Sequence, residues 1–199
     1  MTKVLTFKIW IEGLENKICR TLEITDSKTV ADLAYTILST FDSLAYHQYN
    51  IKHKNNRYDC MISAEYYECR DVLIDATATK LNTINFDEDN KMIMEYDYGS
   101  TTTFIIEYQN SRDLEKGAGR HYPYIVAGAG RGMIDDISSY ELKSIVEDID
   151  KKGESNHYFT PGYERAIKYD YRDFDLKGAN ILLKGIVEAI KYKYEQIDD

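Results

Sequence analysis

The sequence of 199 residues contains 34 acidic and 25 basic side chains, which gives a formal net charge of −9. This charge disfavours binding that depends on neutralising nucleic-acid phosphates, so no direct nucleic-acid binding is expected. Hydrophobic residues make up 43% of the chain and charged residues 30%, which excludes disordered, collagen-like and low-complexity classes. No apolar run reaches the roughly 18 residues of a membrane span, and the N-terminus alternates instead of forming a signal-peptide core. We therefore expect a soluble, cytoplasmic protein.

The first third of the chain predicts two hairpins separated by a helix. Apolar residues alternate with polar ones in the first two segments, which is typical of half-buried strands. From Val30 to Phe41 the apolar spacing changes to that of an amphipathic helix. The predicted elements are strands over 4–11 and 18–24, a helix over 28–41, and strands over 46–53 and 57–62. This ββαββ opening predicts an α+β domain with a helix across an antiparallel sheet.

The remaining chain predicts one further hairpin and two helices. β-branched and aromatic residues over 91–98 and 102–109 flank a Gly99-Ser100 turn and indicate central strands. A capping box at Ser138 begins a helix over 138–151, and a C-terminal helix is predicted over 180–197. Residues 63–85 and 110–137 are predicted to be mostly irregular. We expect a single α+β domain over residues 1–199, with a core at about 3–183, in which three helices pack on a mainly antiparallel sheet built from hairpins.

The glycine-rich segment from Gly128 to Gly132 raises the question of a phosphate-binding loop. Glycines allow backbone N–H groups to approach an anion, and Arg131 lies among them. However, the segment lacks the strand, the GxGxxG spacing and the helix of a dinucleotide fingerprint. A loop that folds tightly over the sheet is the favoured interpretation.

A second candidate combines His121 with Asp135 and Asp136, because an imidazole near paired carboxylates suits acid/base chemistry or a divalent metal ion. The alternative is that these are solvated loop charges and carboxylates near a helix start. The three cysteines lack CxxC spacing, and Cys60 and Cys69 with two histidines, His47 and His53, have irregular intervals. No catalytic residue, metal site or cofactor is therefore predicted.

Tyrosine is unusually abundant, at 18 residues. Tyrosine provides contact area and a hydroxyl group with little loss of entropy, so an acidic, tyrosine-rich surface is suited to protein recognition. Such a surface attracts basic partners, among them nucleic-acid-binding proteins. The alternatives are that many tyrosines lie in the core or on edge strands, and that the charge serves solubility.

Several motifs together resemble the plasmid pRiA4b ORF-3-like family over about residues 3–183. They are the N-terminal strand-strand-helix unit, Tyr96-Asp97-Tyr98-Gly99, Tyr122-Pro123 followed by Ala127-Gly128, and the segment from Tyr169 to Leu176. The sequence departs from the family pattern after Gly99, where a carboxylate is lost, and before Asp135-Asp136, where a cysteine and a Pro-Pro pair are missing. The resemblance implies an α+β fold and an origin on plasmids, transposons, phages or bacterial chromosomes, and it implies no particular activity.

The function expected from these observations is that of a non-enzymatic protein-binding or accessory protein of a bacterium or mobile element, which inhibits a basic nucleic-acid-handling partner. The alternative is a small-molecule or phosphate-ester site with hydrolytic activity, built by Asp97, His121, Arg131, Asp135 and Asp136. The candidate binding residues are Asp97, Tyr98, Gly99, His121, Tyr122, Gly128, Gly130, Arg131, Asp135 and Asp136.

Overall fold

The computed structural model describes residues 1–60, 73–159 and 166–195. The strands are β1 (Lys3–Ile11), β2 (Cys19–Thr25), β3 (Tyr49–His53), β4 (Asn56–Asp59), β5 (Leu73–Asp75), β6 (Lys91–Tyr96), β7 (Thr102–Asp113), β8 (Tyr124–Ala129), β9 (Tyr158–Phe159) and β10 (Ile167–Lys168). The helices are α1 (Val30–Thr40), α2 (Ser139–Lys152) and α3 (Leu176–Glu195). The end of the second predicted hairpin (61–62), Cys69 and the last residues of the predicted C-terminal helix (196–197) lie outside the described residues.

Eight strands form one sheet in the order β5-β4-β3-β6-β7-β1-β2-β8. All neighbouring pairs are antiparallel except β4 and β5, which are parallel. The β6–β7 hairpin lies in the middle, as its β-branched and aromatic composition predicts. The α+β class, with a large, mostly antiparallel sheet and three helices, is therefore confirmed.

The segment predicted to be irregular over 110–137 contains more regular structure than expected. β7 continues to Asp113, a short 3-10 turn covers Ala118–His121, and β8 pairs with β2 at the edge of the sheet. The strand was missed because Ala127, Gly128 and Ala129 have low β propensity. Tertiary pairing with β2 overrides that local preference.

Helix α1 is buried along its whole length, because the sheet covers one side and α3 packs on the other. A capping box between Thr29 and Asp32 begins the helix. Lys191 of α3 pairs with the same Asp32 at 2.9 Å, and the ring of Tyr194 stacks on Tyr35 with centroids 5.4 Å apart. Helix α1 therefore lies between the sheet and α3, α3 also contacts β8, and one continuous apolar core joins these elements.

Several turns of the chain lie close together at one end of the sheet. β1, β6, β8 and α1 end there, and β2, β3 and β7 begin there. The side chain of Arg20 is buried at this end of the sheet, with only 1% of its surface exposed. Its guanidinium donates to the carbonyl oxygens of Thr40 (3.0 Å), Cys19 (2.8 Å) and Ala129 (2.8 Å). The ends of α1 and β8 are thereby connected through one side chain.

The Arg20 guanidinium also contacts two aromatic rings, and its burial changes its pKa. Its central carbon lies 3.8 Å from the ring centroid of Phe174 and 4.8 Å from that of Phe41. Burial lowers the pKa of Arg20 to about 10, although the carboxylate of Asp42 acts in the opposite direction. Arg20 is a buried cation whose main partners are carbonyl oxygens and rings.

None of the described helices combines the length and hydrophobicity that a membrane span requires.

Candidate functional site

Three chain segments meet at this end of the sheet. They are the loop from Asp42 to His47 after α1, the turn that begins at Asp97 after β6, and the loop over 130–137 between β8 and α2. Because β3 and β6 are neighbours, with Tyr49 opposite Tyr96, the residues before β3 and after β6 lie side by side. The fold thus brings together side chains that are distant in sequence.

His47, Asp97 and Asp136 form a compact polar cluster, in which one ligand atom from each lies within 4.8 Å of the others. The His47 Nε2 atom lies 2.8 Å from Asp136 Oδ1 and 3.6 Å from Asp97 Oδ2. Asp97 is buried, His47 is half-buried and Asp136 is exposed. We call these three residues the polar site.

Both aspartates are held by groups outside the polar site. Asp97 and Asp136 have left-handed backbone conformations, with φ of +61° and +64°, which aspartate tolerates better than most residues. The Gly99 N–H donates to Asp97 Oδ1 at 2.9 Å, and the Tyr46 hydroxyl donates to Asp136 Oδ2 at 2.5 Å. The hydrogen bonds from Tyr46 and His47 hold the pKa of Asp136 below its usual value. Each carboxylate therefore turns its other oxygen toward His47.

Asp135 has a structural position next to the polar site. It accepts hydrogen bonds from the Ser43 hydroxyl (2.9 Å), the Leu44 N–H (2.9 Å) and the Tyr96 hydroxyl (3.1 Å). Burial raises the pKa of Asp135, although these three hydrogen bonds act in the opposite direction. Asp135 therefore ties the 130–137 loop to the segment after α1.

The last turn of α3 supports the loop that carries His47. Lys193 Nζ donates to the Leu44 carbonyl at 2.9 Å, and the Tyr194 hydroxyl donates to the His47 carbonyl. The N–H groups of Tyr46 and His47 point to the Tyr96 hydroxyl, at 3.2 and 3.4 Å. The position of His47 is thus fixed by β6 and α3 together.

A cavity of about 190 Å³ lies beside the polar site. Its lining residues are Leu44, Tyr46, Ile134, Asp135, Asp136, Tyr158 and Phe159. The guanidinium of Arg131 lies 5.0 Å from the Phe159 ring centroid and pairs with Asp173. The cavity therefore has aromatic walls, carboxylates on one side and an arginine behind one wall.

The glycine-rich segment serves chain packing, because two of its N–H groups have protein partners and one of its glycines lies against a neighbouring backbone. The N–H of Arg131 donates to the Tyr171 carbonyl (2.6 Å), and that of Gly132 donates to Asp42 (3.2 Å). A Cβ on Gly130, where φ is +72°, would lie 2.1 Å from the Lys17 carbonyl oxygen. This arrangement is a tight loop over the sheet, in which the N–H groups of Arg131 and Gly132 are already paired and are not available to a phosphate.

The other candidate binding residues lie outside the polar site. The Tyr98 hydroxyl lies 3.2 Å from Asn50 Nδ2, and the Tyr122 hydroxyl accepts from Arg112 at 2.8 Å. A Cβ on Gly128 would lie 2.8 Å from the Phe174 ring, so this glycine allows Phe174 to cover Arg20. His121 precedes β8, whereas Arg131 follows it, and a strand of six residues is about 20 Å long.

Because of that separation, the five residues Asp97, His121, Arg131, Asp135 and Asp136 do not meet in one place. In the described part of the chain, no contact joins His121 to the other four. The imidazole at the carboxylates belongs to His47, which sequence reasoning did not connect with them. The only sequence signal is positional, since His47 and Asp97 flank strands that could become neighbours.

Helix α3 contacts the edge strand β8, and these two elements carry a second candidate binding region. Large apolar side chains are exposed there: Ile181 (71%), Leu182 (60%), Tyr124 (46%), Val126 (44%) and Ile186 (39%). We call these five residues the α3–β8 surface. Tyr124 and Ile181 line the same open depression of about 410 Å³.

Asn180 closes part of the β8 edge beneath this surface. Its amide accepts from the Ile125 N–H and donates to the Ile125 carbonyl, each at 2.9 Å. These are the backbone groups that a further strand would use at this position. The edge therefore exposes side chains while its backbone is paired at Ile125.

The fold and these two surfaces define an α+β domain with a polar site at one end of a mostly antiparallel sheet. The model of the plasmid pRiA4b ORF-3-like protein family matches residues 3–178, and the chain belongs to this family. No curated protein matches the chain. A solved structure described as a protein of unknown function, MM3350 from Methanosarcina mazei Go1, has a TM-score of 0.69 at 19% identity, covering 89% of this chain and 98% of its own. At that identity the similarity concerns the fold alone.

Proposed function

We propose that the protein is a non-enzymatic accessory protein that binds a partner protein through the α3–β8 surface. The observation that carries this proposal is the exposure of five large apolar side chains on one helix and the adjacent strand. Exposed apolar patches on a soluble domain commonly mark interaction sites. Because Asn180 occupies the backbone groups of Ile125, the partner would contact side chains and would not extend the sheet at that point.

The proposed partner is a basic, nucleic-acid-handling protein whose activity the complex inhibits. The net charge of −9 supports this, since it attracts a basic protein over long range and disfavours nucleic acid itself. The family name refers to a plasmid gene, which supports an origin on a bacterial mobile element and action in the cytoplasm. Charge would govern the encounter, and the apolar surface would hold the complex.

The test is co-purification from host lysate with wild-type protein, an Ile181→Ser/Leu182→Ser variant and a Tyr140→Ser control. Tyr140 is also strongly exposed but lies on α2. We expect one basic protein to be retained by the wild type and the control, lost with the double variant, and weakened by added salt. Retention that the double variant does not change, or retention of acidic proteins only, would refute the proposal.

The second candidate function is binding of a small anionic molecule, such as a phosphate ester, beside the polar site. The observation in its favour is an imidazole and two carboxylates that converge next to a 190 Å³ cavity. These carboxylates repel an anion, so such a ligand would need a cation between it and the protein. Thermal-shift screening of phosphate esters, each with and without divalent cations, tests this function. Stabilisation by no ester under either condition would exclude it.

A further inference from the structure

We infer that His47, Asp97 and Asp136 bind a divalent first-row metal ion such as Mn²⁺ or Zn²⁺. The inference concerns the same residues as the second candidate function, but it requires no organic ligand. It is independent of the α3–β8 surface, which lies on other residues. The spacing of the donor atoms, their orientation and the negative charge of the two aspartates support such a site.

The donor atoms are spaced like neighbouring ligands of one ion. With metal–ligand bonds of about 2.1 Å, adjacent ligands lie about 3.0 Å apart in an octahedron and about 3.4 Å apart in a tetrahedron. The His47 Nε2 atom lies 2.8 Å from Asp136 Oδ1 and 3.6 Å from Asp97 Oδ2. The two His47 distances bracket these values, and all three donor atoms lie within 4.8 Å of one another, close enough to converge on one ion.

The donor atoms are also oriented toward a common point. Gly99 holds one oxygen of Asp97 and Tyr46 holds one oxygen of Asp136, so each carboxylate presents a single oxygen to His47. Hydrogen bonds that orient the ligand side chains in this way are typical of metal sites. Tyr96 and Tyr194 hold the backbone on either side of His47. The site is therefore assembled before any ion arrives.

The charge balance favours a cation. In the described ranges of the chain, neither Asp97 nor Asp136 pairs with a lysine or arginine, and each has His47 as its ion-pair partner. With neutral imidazole the cluster carries two negative charges, which match a divalent ion. One nitrogen and two oxygen ligands suit Mn²⁺ or Zn²⁺ better than Mg²⁺ or Ca²⁺, which favour all-oxygen sites.

Three protein ligands leave coordination positions for water or for an exogenous ligand. Asp136 lines the adjacent cavity, so an ion bound to it would lie at the border of that cavity. The proposed ion could thus supply the positive charge that an anionic molecule needs at this place.

The experiment measures the metal ions alone. Protein stripped with a chelator is titrated with Mn²⁺ and with Zn²⁺ by calorimetry, and bound ions are counted by mass spectrometry after gel filtration. We expect one ion per chain for the wild type and at least tenfold weaker binding for His47→Gln and for Asp97→Asn. The matched control is His121→Gln, a histidine at the opposite end of β8, which should bind like the wild type.

Circular dichroism of the variants without metal separates loss of ligands from loss of fold. A wild-type chain that binds neither ion, or a His47→Gln/Asp97→Asn double variant that binds as well as the wild type, would overturn the inference. Binding that is lost equally in His121→Gln would overturn it as well. Binding of the ion without any effect of phosphate esters would leave the inference intact and count against the second candidate function alone.

Discussion

Replacing Arg20 with methionine tests whether one buried cation holds the end of the sheet together. The side chain donates three hydrogen bonds to carbonyl oxygens at 2.8–3.0 Å, and hydrogen bonds from charged donors contribute roughly 1.5–3 kcal/mol each. The cation–π contacts with Phe41 and Phe174 add about 2 kcal/mol in a desolvated setting. Against this, the fall of the pKa from 12.5 to about 10 corresponds to roughly 3 kcal/mol of disfavoured charge.

Taken at the lower end of these ranges, the balance predicts that Arg20→Met lowers the free energy of unfolding by about 3.5 kcal/mol, which for a chain of this size lowers the Tm by about 7–14 °C. Arg20→Lys should be at least as harmful, because an ammonium keeps the charge but cannot make the same forked contacts. Arg172→Met is the matched control, since Arg172 is exposed and pairs with Asp170 at the surface.

Urea denaturation followed by circular dichroism is the assay. We expect both Arg20 variants to unfold at lower urea than the wild type, while the control unfolds near the wild-type midpoint. Buried ion sites can be replaced by apolar residues without loss in some proteins. If Arg20→Met unfolds at or above the wild-type midpoint, the contacts do not outweigh desolvation and our reasoning about this residue is wrong.

Three further predictions concern other parts of the fold. Gly132→Ala would place a Cβ 2.0 Å from the carbonyl oxygen after α1, so we expect a loss of about 3 kcal/mol in thermal unfolding, whereas Gly185→Ala on the open side of α3 should be neutral or stabilising. Burial alone would raise the pKa of Asp32, but its hydrogen bond at the start of α1 and its lysine partner on α3 hold that pKa below the usual value. Its contribution is therefore present above the unfolded-state pKa and is lost as the pH falls below about 5, so acid should destabilise the wild type more than Asp32→Asn in denaturation at pH 6 and pH 3. Asn180→Ala removes both partners of the Ile125 backbone, and hydrogen exchange at the Ile125 amide should become faster, while unchanged exchange would contradict the role given to this asparagine.

The predictable parts of the fold are those in which local pattern and tertiary environment agree. The alternation over β1 and β2 reflects one buried face, and the Ser138 capping box begins α2 as predicted. α3 begins at Leu176, before the predicted start at residue 180. The prediction missed this first turn because Gly178 weakens the helical pattern there.

The local pattern did not reveal strand β8, because the second half of its sequence, Ala127-Gly128-Ala129, has low strand propensity. Its small residues are required by neighbours that sequence does not reveal. Gly128 makes room for Phe174 and Arg20, and the register with β2 shifts near Thr21 to accommodate a bulge. Glycine and alanine allow neighbouring groups to approach the backbone closely, but they have little strand propensity.

The candidate site was predictable only in part. Asp97, Asp135 and Asp136 are candidate site residues in the sequence because they are acidic residues in or beside predicted turns and loops. The structure places all three at one end of the sheet. The histidine could not be assigned, because His47 is 89 positions from Asp136 and the two meet only through strand order. His121 is closer in sequence, but β8 separates it from the carboxylates.

The asparagine at the β8 edge has a consequence for solubility. An edge strand beside exposed isoleucine, leucine and valine combines two features that promote ordered aggregation. These features are unpaired backbone groups and exposed apolar side chains. Asn180 removes the first of these two features at Ile125, because its side-chain amide pairs with the N–H and the carbonyl of that residue. The chain thus displays apolar side chains at β8 without offering, at Ile125, a template onto which another copy could add a strand.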